Sequence, residues 1–213
     1  MSRTSTGNSA NRVPTPVKYF VSFAGEKGEF TYWDKEAAER VSLGESIEFV
    51  VMDTRSAVGG WSDPNQARIF SNRVKSVVTE ELVVRCGKET LQKGLWSNIK
   101  DAAKADGAKF CTEVFALVNI GGTLQPAQID FMGSVLGDWM SFTEEMGGPW
   151  SVYKSTVVAT KGEQRKKGKT LYYAVNFTTE DLTSEASAQA DEFNDDRLQP
   201  YLNAGAPSEP VTV

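Results

Sequence analysis

Apolar and polar residues alternate along residues 17–23, 29–33, 46–52, 68–77 and 82–85, and β-branched and aromatic side chains are concentrated in the same stretches. That is the pattern of strands with one buried face. Turn-forming residues separate them: Gly25 and Gly28, Gly44, and the segment 57–65, which holds Gly59, Gly60, Asp63, Pro64 and Asn65 and is expected to be a loop. Between Gly94 and Gly107 the period changes. Leu95, Ile99, Ala102 and Ala103 recur at helical spacing, and Gly107 stands where a left-handed residue would end the helix. Strand character resumes over 109–119 and 124–131. A second helix is expected around 135–143, where Leu136, Trp139 and Met140 form an apolar stripe that Gly147, Gly148 and Pro149 terminate.

The following stretch reads as a hairpin, with strands 150–160 and 170–178 joined by the loop 161–169, in which five basic residues accompany one acidic residue. Past residue 180 the composition shifts to Ser, Ala, Asp, Glu and Pro, too poor in large apolar groups to offset the entropy of ordering. The expected plan is therefore a disordered arm over 1–16, one folded domain over 17–179 and an acidic, disordered tail over 180–213. The fold class is mainly β with one or two short helices. Three strands, a helix and further strands follow the order of the OB-fold, a small Greek-key barrel that binds oligonucleotides or oligosaccharides, so an OB-like β-barrel is the expected architecture.

Charge sharpens this division. Residues 1–179 carry 22 basic and 20 acidic side chains, whereas residues 180–213 carry one basic and eight acidic, so the whole net charge of −5 comes from the tail. A flexible acidic segment on a slightly basic body is expected to compete with nucleic acid as a tethered anion. The chain has no histidine, which excludes Ser-His-Asp and Cys-His catalysis and His-dependent zinc sites. Cys86 and Cys111 are too few for a thiolate metal site and point to a reducing compartment. The longest apolar run, residues 114–118, is far short of the ~20 residues that span a bilayer, and the N-terminus has no apolar segment of the signal-peptide kind. A cytoplasmic protein without a membrane partner is expected. The Gly87-Lys88 pair has Leu82 where a P-loop carries its first glycine. The carboxylate pairs Asp34/Glu36, Glu80/Glu81 and Glu144/Glu145 read as solvated surface groups, so neither an enzyme nor a cofactor or metal is expected.

Aromatic and basic residues carry more information, because single-stranded nucleic acid is held by stacking bases on rings while Lys and Arg track the phosphates. Alternation over 68–75 places Arg68, Phe70 and Asn72 on one face and Ile69, Ser71, Arg73 and Lys75 on the other. Phe70 thus sits between polar neighbours, where a half-buried barrel residue is the competing role. Trp61 follows two glycines and has Arg55 and Arg68 nearby in sequence; Trp96 and Trp139, on helices, read as packing residues. In the hairpin, Trp150, Val152 and Lys154 share a face. The candidate DNA contacts are Arg55, Trp61, Arg68, Phe70, Arg73, Lys75 and Lys154.

The stretches Ile69-Phe70-Ser71-Asn72-Arg73-Val74, Lys93-Gly94-Leu95-Trp96-Ser97-Asn98-Ile99-Lys100, Gly107-Ala108-Lys109-Phe110-Cys111 and Ile129-Asp130-Phe131-Met132-Gly133 resemble those of small OB-fold single-stranded DNA-binding proteins of phages and conjugative plasmids. The resemblance implies a non-enzymatic protein that coats single-stranded DNA in replication or recombination, self-associates on it, and works in the host cytoplasm if phage-encoded. Proteins of this kind commonly end in an acidic tip that docks replication or recombination partners. Here the acidic block 191–196 is internal, with Phe193 as the nearest substitute. The alternative function is a protein-interaction or assembly module of a virion or replisome that binds no nucleic acid.

Overall fold

A computed structural model describes residues 14–34 and 37–204. In chain order they form β1 (Tyr19–Ala24), β2 (Glu29–Asp34), β3 (Glu39–Gly44), β4 (Ser46–Ser62), β5 (Ala67–Ser71), β6 (Leu82–Cys86), β7 (Glu89–Gly94), α1 (Trp96–Ala105), β8 (Ala108–Ile120), β9 (Thr123–Met132), α2 (Ser134–Glu145), β10 (Ser155–Lys167), β11 (Thr170–Asp181), α3 (Ser184–Phe193) and α4 (Gln199–Asn203). The chain is mainly β. The expected arm lies outside the described residues except for 14–16, as do residues 205–213 of the expected tail and Glu36 of the Asp34/Glu36 pair. The alternation did not reveal β3 and β7, whose sequences are largely polar. Both are edge strands, where charged residues discourage further pairing.

The ladders do not close into a barrel. The sheet runs β3-β2-β1-β9-β8-β4-β5-β6-β7, with β10 and β11 branching from β4. The cause is the length of β4, whose outer edge is divided between two partners: residues 46–50 pair with β10 and residues 59–62 with β5. Its other edge pairs with β8 along almost its whole length. The sheet therefore forks. At the fork the β10–β11 ribbon curls back towards the β1–β2 turn, where the Tyr173 N–H donates to the Gly25 carbonyl at 2.8 Å.

Three cores share the two long strands. On the inner face, Val21, Phe30, Phe49, Val114, Ile129, Phe131 and Val157 pack together beneath Trp139 and Phe142 of α2. Farther along the same face, Val58, Ile69, Leu82, Val84 and Ala108 pack beneath Ile99 and Ala103 of α1. On the outer face, over the first core alone, Val50, Met52, Phe115 and Leu117 are covered by Ala186, Ala190, Leu198 and Tyr201 of the C-terminal helices. Among the described residues, the outer face over the α1 core has no such covering cluster.

A single bulge decides which side chains occupy that face. Phe49 and Val51 point inward with the first core, but the pairing with β8 slips between Val51 and Asp53. An extra residue in one strand inverts the orientation of everything after it. Thr54 and Val58 accordingly point inward while Asp53, Arg55, Gly59 and Trp61 point outward. The segment 57–62, expected as a loop, is the end of β4. Its glycines serve close approach: a Cβ on Gly60 would overlap the Gly107 carbonyl oxygen, and one on Gly107 would overlap that of Trp61.

Residues 184–204, expected to be disordered, are helical and packed. Thr183 caps α3 by accepting from the Ala186 N–H at 3.2 Å. Only a few apolar groups face the sheet, but Leu198 is 0% and Tyr201 3% exposed, and the acidic residues occupy the solvent side. An average composition hides such a one-sided arrangement. This removes the premise of a freely sampling tail, because truncation after Thr179 would strip the cover from the outer-face core. Leu198→Ala is expected to cost about 2–5 kcal/mol, read by urea denaturation; a loss within a few tenths of a kcal/mol of zero would show that these helices are not part of the folded unit.

Candidate nucleic-acid interface

The uncovered part of the outer face is built from β4, β5, β6, β8 and β9. Residues directly opposite in antiparallel ladders share a face, with Cβ atoms about 4.5–5.5 Å apart. Trp61 stands opposite Arg68, and Gly59 stands opposite Phe70 on one side and Lys109 on the other. Phe70 is in turn opposite Arg85. Met132, at the end of β9, closes the patch, its Sδ lying 3.9 Å from where a Gly59 Cβ would be. Because Gly59 contributes no side chain, the half-buried Phe70 ring is not walled in from β4. Trp61 is 52% exposed. The face therefore presents two rings and a thioether among Arg68, Arg85 and Lys109.

Of the seven residues singled out from the sequence, Trp61, Arg68 and Phe70 are brought together here. Arg55 is not available to a phosphate: it is 5% exposed and donates from Nη2 to Asp53 Oδ2 at 2.9 Å. Arg73 is also committed. It donates from Nε to Glu113, from Nη1 to the Tyr201 hydroxyl at 2.9 Å and from Nη2 to Gln128 Oε1 at 3.1 Å, while its guanidinium lies 5.5 Å from the Phe115 ring centroid. Lys75 is exposed in the β5–β6 connection, where its backbone N–H donates to Glu80 Oε1 at 3.0 Å. Lys154 ends the 3-10 turn Ser151–Lys154, whose Tyr153 hydroxyl is 3.3 Å from Thr54 Oγ1 on the inward side of β4, away from Trp61.

The expected alternation from Arg68 to Lys75 breaks because β5 stops at Ser71. The Ser71 hydroxyl accepts from the Val58 N–H at 2.8 Å, and Val74 then bridges to Ser56 and enters the α1 core. Arg73 is thereby turned to the outer face, the same side as Arg68. The other members of the patch, Arg85, Lys109 and Met132, were not singled out; alternation in 82–85 and 109–119 gives the parity of Arg85 and Lys109, but the neighbours of all three depend on cross-strand register.

Beside the patch lies a cluster of charge that the sequence pairs did not indicate. Glu113 and Asp130 are opposite each other on β8 and β9. Burial pushes both carboxyls above the usual carboxylate range, against the pull of Arg73 and Arg68. Gln128 Nε2 donates to Asp130 Oδ1 at 2.7 Å. Burial also raises the neighbouring Cys111 thiol, which is therefore no thiolate nucleophile at neutral pH. Among the described residues no group of three or more Cys, Asp or Glu is placed to hold a metal ion, and no helix is long and apolar enough to cross a membrane.

Two outcomes follow from this cluster. Arg73→Ala leaves the Glu113 carboxylate buried without its cation, and breaking such a pair costs about 3–5 kcal/mol; a denaturation midpoint close to wild type would contradict the assignment of Arg73 as structural. For Asp130, a raised folded pKa means that the folded state favours the neutral acid, so this contribution is full below the ordinary value of about 4 and is lost as pH rises through the raised value. Asp130→Asn should therefore flatten the fall of the thermal midpoint as pH rises above ~4, and parallel profiles for wild type and variant would refute it.

Comparison with protein-family models, with curated proteins and with solved structures finds no match to this chain.

Proposed function

We propose that the chain binds single-stranded DNA, without strong sequence preference and without catalysis, on the uncovered outer face of β4, β5, β6 and β8. The observation that carries this reading is the register of β4, β5 and β6, which sets exposed Trp61 against Arg68 and half-buried Phe70 against Arg85. Rings that stack bases and cations that neutralise phosphates are needed at a spacing comparable to that of nucleotides along a strand, and a β-sheet face supplies both. The curl of β1, β9, β8, β4 and β10–β11 around a core plugged by α2 supports an OB-like relationship.

Gly60 and Gly107 let the backbone at Trp61 approach the neighbouring strand more closely than any residue with a Cβ would allow. Base stacking needs no hydrogen-bond code, so the patch would accept any base. Self-association on the strand and replication or recombination partners belong to the same reading; such partners would meet Asp191, Glu192, Asp195 and Asp196, all exposed on the C-terminal helices.

The test separates binding from folding. Trp61→Ala and Phe70→Ala should each weaken single-strand binding by about 1–3 kcal/mol per base lost, with the thermal midpoint nearly unchanged for the exposed Trp61. Reversing Arg68, Arg85 or Lys109 to Glu should reduce the salt slope by about 0.7 for each phosphate contact removed. Wild-type affinity and slope in all five variants would exclude this face as the binding surface.

A further inference from the structure

The outer face continues away from the patch. β9 pairs in parallel with β1, Phe20 standing opposite Gln128, and β1 passes the face on to β2 and β3. There the ladders align three hydroxyls in one cross-strand row: Ser22 opposite Thr31, and Thr31 opposite Ser42. The next pair on this face is Trp33 opposite Arg40. Ser22, Thr31, Arg40 and Ser42, with Lys27 and Glu29, line a depression of about 400 Å³.

Three features suit this depression to a phosphodiester. Arg40 is exposed and has no ion pair among the described residues; its Nη1 leans over the hydroxyl row at 3.4 Å from Ser22 Oγ and 3.5 Å from Thr31 Oγ1, distances too long for strong bonds. Thr31 is only 6% exposed, so its hydroxyl is a largely desolvated group with that one weak partner. The acid in the depression, Glu29, is engaged by the Ser42 hydroxyl at 2.7 Å, and Lys27 lines the same depression. Beside them Trp33 is 42% exposed, the second-most solvent-open sheet tryptophan after Trp61.

We propose that this β1–β3 surface is a second contact station for the same nucleic-acid strand, Arg40 with the Ser22 and Thr31 hydroxyls holding a backbone phosphate and Trp33 stacking a base. The inference rests on the single-strand reading above. From Trp61 on β4 to Trp33 on β2 there are four strand spacings, so at about 4.8 Å each the path across the sheet is on the order of 19 Å. A short oligonucleotide on the Trp61 patch cannot reach the second station; a long one passes over both.

The experiment is a titration of wild type, Trp61→Ala, Trp33→Ala, Arg40→Glu and Arg40→Lys with single strands of about three and about twenty nucleotides, lengths that bracket the ~4–16 nucleotides of one OB-type site. Thermal midpoints are measured alongside, since Trp33 and Arg40 are exposed and their variants should fold. The second station predicts that Trp33→Ala weakens the long strand about 5- to 150-fold and leaves the short one unchanged. Arg40→Glu should do the same while lowering the long-strand salt slope by about 0.7, and Arg40→Lys should retain the wild-type slope. If Trp61→Ala weakens both lengths while Trp33 and Arg40 variants match wild type, the second station is overturned and the first stands. If wild type binds neither length, both fall.

Discussion

The Arg73 guanidinium is where four parts of the chain are tied together. It leaves the β5–β6 connection, reaches Glu113 on β8 and Gln128 on β9, lies against Phe115, and receives the Tyr201 hydroxyl from α4 as an acceptor. A cation taken this far out of water is stable only when its donors are all used. Gln199 repeats the arrangement nearby, donating to Asp53 Oδ2 at 2.7 Å, which also accepts from Arg55. Polar anchors of this kind position a pair of short helices whose few apolar residues alone would fix them loosely. They also define where the covering ends. The described helices stop at the charge cluster, and among the described residues none covers the sheet beyond it.

That open area exists because β4 and β8 are longer than any one core needs. Among the described residues their inner face is buried twice over, by α2 at one end and α1 at the other, whereas their outer face is buried once. The bulge at Met52 then selects which residues fill the open part. Without it, the parity of β4 would turn Trp61 inward with the α1 core and expose Val58 and Ser62 instead. A fold-level irregularity of one residue therefore places the aromatic group on the side where a ligand can reach it.

Much of the framework could be read from the sequence, since strand patterning marked nine of the eleven strands among the described residues and helical spacing marked α1 and α2. Trp61, Arg68 and Phe70 were legible as a candidate site for the same reason: strand parity and glycine neighbours are local signals. Arg55 and Arg73 were not, because their burial is decided by groups brought close only by folding, as far apart in sequence as Arg73 and Tyr201, 128 residues. Arg85 and Lys109 flank Phe70 and Gly59 through strand register, which no local pattern encodes. The C-terminal helices failed on composition, an average that cannot distinguish Leu198 and Tyr201 on one buried side from acidic residues on the other.

The central claim is that an open sheet face binds single strands by stacking and charge together. The most direct measurement is an equilibrium titration of the wild-type chain, followed by tryptophan fluorescence, with a single strand and a duplex of equal length at low and at high salt. Stacking on Trp61 predicts quenching by the single strand, an affinity that falls with salt by a slope of about 0.7 per phosphate contact, and much weaker binding of the duplex, whose bases are already stacked. No binding of the single strand at low salt, or equal binding of both forms, would contradict the account.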